Sequence, residues 1–129
     1  MKKFVSLFLL AFCFLIAGAT DIQRVDPPFW YAGMKNTELQ IMFYGENISD
    51  APFSMDKYEG VTVKEVCKVE NPNYLFVYLD VSAKAKPGML QFQFGKGKKA
   101  VRHSFELRSR NQKAGAMGFT PQDVLYLIM

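Results

Sequence analysis

Between Glu38 and Tyr44 the chain alternates without a break, with Leu39, Ile41 and Phe43 on one side and Glu38, Gln40, Met42 and Tyr44 on the other. A period of two sends successive side chains to opposite faces of an extended backbone, so this stretch reads as a strand with one buried face. The residues before it restrict its setting. Pro27-Pro28 fixes an extended entry, and Phe29-Trp30-Tyr31 then places three aromatic rings in a row, including the only Trp of the chain. Gly33 and Asn36 mark a turn, because both tolerate a positive φ. Gly45 and Asn47 end the strand.

The same grammar recurs downstream. Val61 to Val69 is strand-like, but Val66 falls out of phase with Val61 and Val63, and a bulge near Lys64-Glu65 restores the alternation. Glu70-Asn71-Pro72-Asn73 is a turn. Tyr74 to Val81 is apolar on both faces, as expected of a central strand covered on both sides. Leu75, Val77 and Leu79 face the core, and Tyr74, Phe76 and Tyr78 face something else. Lys86-Pro87-Gly88 is a turn before Met89 to Phe94, and Gly95-Lys96-Gly97-Lys98 is a hairpin turn before the return strand Ala100 to Arg108. Glu46 to Glu59 reads as a loop, which Phe53 and Met55 pin to the core or turn into a short edge strand. These six or seven short, turn-punctuated strands predict an all-β fold, an immunoglobulin-like antiparallel β-sandwich. Its expected core is Leu39, Ile41, Phe43, Val77, Leu79, Leu90, Phe92, Phe105 and Leu107.

The two ends of the chain have different compositions. Lys2-Lys3, the apolar run Phe4 to Ile16 and the small residues Ala17-Gly18-Ala19 form a signal peptide over residues 1–19. The run is shorter than the roughly 20 residues that span a bilayer, and Phe12 is too bulky for lipoprotein processing at Cys13. Export, most simply to the periplasm, is the expectation, with no membrane contact after the leader is removed. Cleavage takes away Lys2 and Lys3 and no acid, so the formal charge falls from +4 to +2. Cys67 then remains as the sole cysteine, and an internal disulfide is excluded. The sandwich occupies residues 20–108. Residues 109–118 read as a linker, and Val124 to Met129 is a continuous apolar run of the kind found in parallel strands buried on both faces.

The composition limits the chemistry. Glycoside hydrolysis needs two carboxyl groups flanking one bond, and the twelve acidic residues are scattered. We assign no catalytic residue. One His and one mature Cys make no metal cluster, and no cofactor motif is present. The basic residues from Lys96 to Lys113 fit protection of a hairpin tip better than a nucleic-acid surface, and no nucleic-acid partner is expected. Trp30 and Tyr31 have two readings. They form a platform on which a sugar ring stacks, or they plug the end of the sandwich.

The run Pro28-Phe29-Trp30-Tyr31-Ala32-Gly33-Met34-Lys35-Asn36, with the strand ending Tyr44-Gly45-Glu46-Asn47-Ile48, resembles the N-terminal domain of secreted neopullulanases and cyclomaltodextrinases. These are α-amylase-family glycoside hydrolases of bacterial starch utilisation. Asn71 to Asp80 and Ala85 to Gly88 resemble two further shared blocks. Asp123 to Met129 resembles the first strand of the catalytic (β/α)8 barrel, so residues 119–129 read as the start of a truncated barrel and an orphan strand. The resemblance implies an accessory, non-catalytic domain of an α-glucan hydrolase. It implies packing on the catalytic barrel and on a second subunit, with Phe76, Tyr78, Phe119 and Tyr126 as interface residues. The alternative is a free-standing exported module that binds α-glucan through Trp30 and Tyr31.

Overall fold

The computed structural model describes residues 21–110. The leader, most of the linker and the apolar run with Phe119 and Tyr126 lie outside the described residues. Eight strands follow in order: β1 Arg24–Asp26, β2 Phe29–Tyr31, β3 Glu38–Tyr44, β4 Phe53–Met55, β5 Val61–Lys68, β6 Tyr74–Val81, β7 Gly88–Phe94 and β8 Val101–Arg108. They form two four-stranded sheets, β1-β3-β6-β5 and β2-β8-β7-β4, called here the first and second sheet. The first is antiparallel throughout. The second departs from the expected antiparallel pattern at one place, because β2 runs parallel to β8. The chain crosses from one sheet to the other at the proline pair. Around the cis Asp26-Pro27 bond the chain leaves β1 in the first sheet and enters β2 in the second.

The core lies between the sheets. All the residues expected there are buried, with Ile41, Phe43, Val77, Leu79, Leu90, Phe92 and Phe105 fully so. Phe43 is central to it. Its ring lies 5.4 Å from that of Phe92 and 4.9 Å from that of Phe94, both edge-on, so one side chain of the first sheet holds two of the second. Edge-to-face pairs of this kind add to the free energy of burial.

The loop from Gly45 to Pro52 is more ordered than its composition suggests. Ile48 is fully buried within a short 3-10 turn, Ile48–Asp50. The turn is held by the opposite loop. Asn47 N–H donates to Asn73 Oδ1 at 2.9 Å and Ser49 N–H to the Pro72 carbonyl at 3.0 Å. Asn47, and not Asn36, adopts the left-handed conformation, at φ 51°. Asn36 serves its turn differently, its Oδ1 accepting from Glu38 N–H at 3.1 Å. Phe53 and Met55 belong to β4, an edge strand on β7.

The bulge in β5 is where the phase of the valines requires it. Val63 pairs with Leu79 and Glu65 with Tyr78, leaving Lys64 as the extra residue. The bulge keeps Val61, Val63 and Val66 on the core side, yet Val63 and Val66 stay 37 % and 38 % exposed, because β5 is the edge of its sheet.

Candidate functional site

Alternation along the strands gives each sheet an outer face, and the candidate residues divide between them. Trp30 pairs with the buried Leu107, so it lies on the inner side of the second sheet and packs against the core. Its indole N–H is buried and has no acceptor among the described residues. Tyr31 is the next residue of the same strand and lies on the outer face, 36 % exposed. The two rings are therefore not brought together on one platform. Tyr31 instead meets Phe29, whose ring stands edge-on to it at 5.7 Å.

Phe76 and Tyr78 lie on the outer face of the first sheet, half-buried. Cross-strand pairing gathers further apolar groups around them. Met42 is opposite Phe76, Tyr44 is opposite Tyr74, and Cys67 flanks Phe76 from β5. The Tyr44 and Tyr74 rings are 4.9 Å apart. The expectation that β6 is covered on both sides holds for its inner side. On its outer side no described element covers it, and the aromatic rings themselves shield the strand. Gln40 Nε2 donates to the Tyr78 hydroxyl at 2.8 Å. Lys64, turned outward by the bulge, donates to Glu38 Oε1 at 2.7 Å. That hydrogen bond and charge raise the Lys64 pKa above its ordinary value. A hollow of about 290 Å³ lies beside this pair, lined by Glu38, Lys64, Glu65, Tyr78 and Leu79.

Four ion pairs lie on the surface of the described residues. Arg24 meets Asp26, Lys64 meets Glu38, Arg102 meets Asp56 at 3.8 Å and Arg108 meets Glu106 at 2.7 Å. Among the described residues no three His, Cys, Asp or Glu side chains converge as a metal set. His103 sits on the core side of β8, its ring 6.1 Å from that of Phe43, and burial lowers its pKa. A ring kept neutral against a phenylalanine is a packing element.

The family model for the N-terminal domain of cyclomaltodextrinase matches residues 24–111. The chain belongs to that family. The match takes in all eight strands, so both outer faces are faces of a cyclomaltodextrinase N-terminal domain, an accessory domain of amylase-family enzymes. Its immunoglobulin-like sandwich is the fold that the strand pattern predicts.

Met42, Tyr44 and Tyr74 join Phe76 and Tyr78 on the accessory domain's first face, although only the last two stood out as interface residues. Their phase is readable from the alternation of β3 and β6. The register that puts Met42 against Phe76 is not, because it arises from pairing across residues far apart in the chain. Phe29, Glu106, Arg108 and Met89 are grouped on the second face in the same way, through the β2–β8 and β8–β7 registers.

Proposed function

We propose that this domain is the non-catalytic accessory part of an α-glucan hydrolase and that it docks on the catalytic domain through the outer face of its first sheet. The observation that carries this reading is the aromatic stripe of Tyr44, Tyr74, Phe76 and Tyr78 with Met42. Exposed apolar patches rimmed by polar groups mark interaction surfaces. Interface cores favour Tyr, Phe and Met and exclude charge. The rim here is Gln40, the Lys64–Glu38 pair and Asp80 at one end and the Arg24–Asp26 pair on β1, and the hollow beside Tyr78 offers room for a partner side chain. The substrates of the hydrolase, in this reading, are starch oligosaccharides, cyclodextrins and pullulan. The same stripe suits a barrel in the same polypeptide or in a second subunit.

The test is association in trans. The chain is mixed with a separately expressed cyclomaltodextrinase catalytic domain and followed by sedimentation velocity. A complex is expected, and the double variant Phe76→Ser, Tyr78→Ser is expected to lose it while keeping the parent's far-ultraviolet spectrum. A complex unaffected by the double variant overturns the docking face. Export is the second half of the proposal, resting on Lys2-Lys3, the apolar run and Ala17-Gly18-Ala19. Intact mass of the exported chain should begin at Thr20, and recovery of a product still starting at Met1 counts against it.

A further inference from the structure

We propose that the free edge of β5 pairs with the β5 of a second copy of this chain, antiparallel and across a twofold axis, so that two four-stranded first sheets join into one. This contact joins one accessory sandwich to another and is separate from docking on a catalytic domain.

The sandwich has four edge strands, and three of them are blunted by their length. β1, β2 and β4 have three residues each, whereas β5 has eight. A short edge offers a partner few unpaired backbone groups, and a long one offers a template. Among the described residues no strand pairs with β5 on its open side, and a single bridge from Tyr58 to Val61 closes only its start. The edge from Thr62 to Cys67 is therefore free. It is also apolar on its core side. Val63 and Val66, with Val69 just past the strand, make up three of the five large apolar side chains that the described residues expose.

The bulge selects the partner. It turns Lys64 and Glu65 outward in succession, while Val63 before them and Val66 after them stay on the core side. An antiparallel copy keeps every side chain on its own face when Lys64 lies opposite the partner's Glu65. In that register Val63 meets the partner's Val66 and Thr62 meets the partner's Cys67, and the twofold axis repeats each contact. A shift of one residue sets Lys64 against Lys64 or Glu65 against Glu65. A shift of two sets a core-side valine against an outward charge. Only the first register satisfies both phase and charge.

Charge gives this edge its selectivity. Lys64 already donates to Glu38 at 2.7 Å, so it is held outward before a partner arrives. Glu65 has no ion pair among the described residues, and the partner's Lys64 supplies one. A lysine and a bulge on an edge ordinarily repel an incoming strand. Here they repel a strand that lacks an acid at the matching place, and the chain's own β5 has one. The valines supply the apolar part, since each is more than a third exposed in the single chain and is covered by its counterpart in the pair. Each copy has one long edge, so the twofold pair is closed. A sheet continued in this way leaves both aromatic stripes open on the same side.

The experiment is sedimentation velocity of the full chain alone over a concentration series, with amide hydrogen exchange measured on the same samples. A monomer–dimer equilibrium is expected. Amides from Thr62 to Cys67 should slow as the dimer fills, and those from Arg24 to Asp26, on the opposite edge, should not change. Glu65→Lys sets cations against each other at two symmetry-related places and should raise the dimer Kd by about tenfold or more. The charge swap Lys64→Glu with Glu65→Lys restores the match and should recover most of the affinity. Thermal midpoints establish that both variants are folded. A parent that stays monomeric at every concentration overturns the proposal. So does a dimer indifferent to Glu65→Lys, or one that the charge swap fails to restore. A dimer that leaves the β5 amides fast and is lost in Phe76→Ser, Tyr78→Ser would lie on the aromatic stripe and overturn it too. Docking is read against a separate catalytic domain, so either reading can fail while the other stands.

Discussion

The two outer faces of this sandwich come from the same strand rule and end up unlike each other. On the first sheet, β3 and β6 send Met42, Tyr44, Tyr74, Phe76 and Tyr78 outward as one continuous stripe, with charge beside it in Glu38, Asp80, Lys64 and Glu65 at one end and in the Arg24–Asp26 pair along β1. On the second sheet, β7 and β8 send out Gln91, Gln93, Arg102, Ser104, Glu106 and Arg108, and aromatic rings enter only from the edge strand β2. The inner faces are both apolar, the first built of Leu, Ile, Val and Phe43, the second of Phe, Leu and Val with Trp30 and His103. Burial alone therefore explains the inner faces and leaves the outer ones free to differ. An apolar stripe flanked by paired charges suits a protein partner.

The largest expected effect removes what the two faces share. Phe43 is fully buried, and its ring meets Phe53, Phe92, Phe94 and His103 across the interface between the sheets. Phe43→Ala should cost about 3–5 kcal/mol in a denaturant titration, the transfer free energy of the ring plus the cavity left behind. That is a large fraction of the stability of a domain this size. Docking through the first face should be lost along with it. A midpoint near the parent's would mean that the sheets are held elsewhere, and that the faces are less coupled than the packing implies.

A smaller effect separates the faces. Phe76 on the first is half-buried among Met42, Cys67 and the flanking tyrosines, whereas Met89 on the second is 48 % exposed. Phe76→Ser should cost roughly 1 kcal/mol through lost cross-strand contact, and Met89→Ser should stay within about 0.5 kcal/mol. Equal costs measured by thermal unfolding of the free chain would show that the apolar stripe is no better packed than the polar face, and would remove one distinction drawn above.

Much of the sandwich was legible because alternation is a local property. The phases of β3, β6, β7 and β8 follow from their own residues, and so does the bulge at Lys64, which Val66 demands. Ile48 was not legible. It stands alone among Asn47, Ser49 and Asp50, and its burial depends on the Asn71-Pro72-Asn73 loop reaching across to Asn47 and Ser49. The parallel β2–β8 pair was hidden for a related reason: a three-residue strand has no periodicity, and its partner is more than seventy residues away. That missed pairing also explains the site. Adjacent in sequence, Trp30 and Tyr31 suggested one platform. Once Phe29-Trp30-Tyr31 is a strand, Trp30 belongs to the core and Phe29 becomes the neighbour of Tyr31. Arg108 and Glu106 read as plain surface charge until β2 lies beside them.

The smallest effect tests the wall between the faces by pH. His103 lies on the core side of β8, opposite Phe92 and edge-on to Phe43, and burial lowers its pKa below the ordinary value. The unfolded chain therefore binds the proton more readily than the folded one, and stability must rise with pH through this window. Well above the ordinary imidazole value of about 6.5 both states are neutral and the group contributes nothing. As the pH drops below that value the unfolded state is protonated first, and stability declines until the folded ring is protonated as well. Carboxylates titrate mostly below about pH 5, so the range from about 7 down to 5.5 isolates the histidine. The denaturant midpoint should fall modestly over that range in the parent and stay nearly level in His103→Gln. Because the ring belongs to the shared core, docking through the first face should show no pH dependence of its own while the chain is folded. A midpoint that rises as the pH falls would place a carboxylate partner on the ring and reverse its role from packing element to ion-pair member.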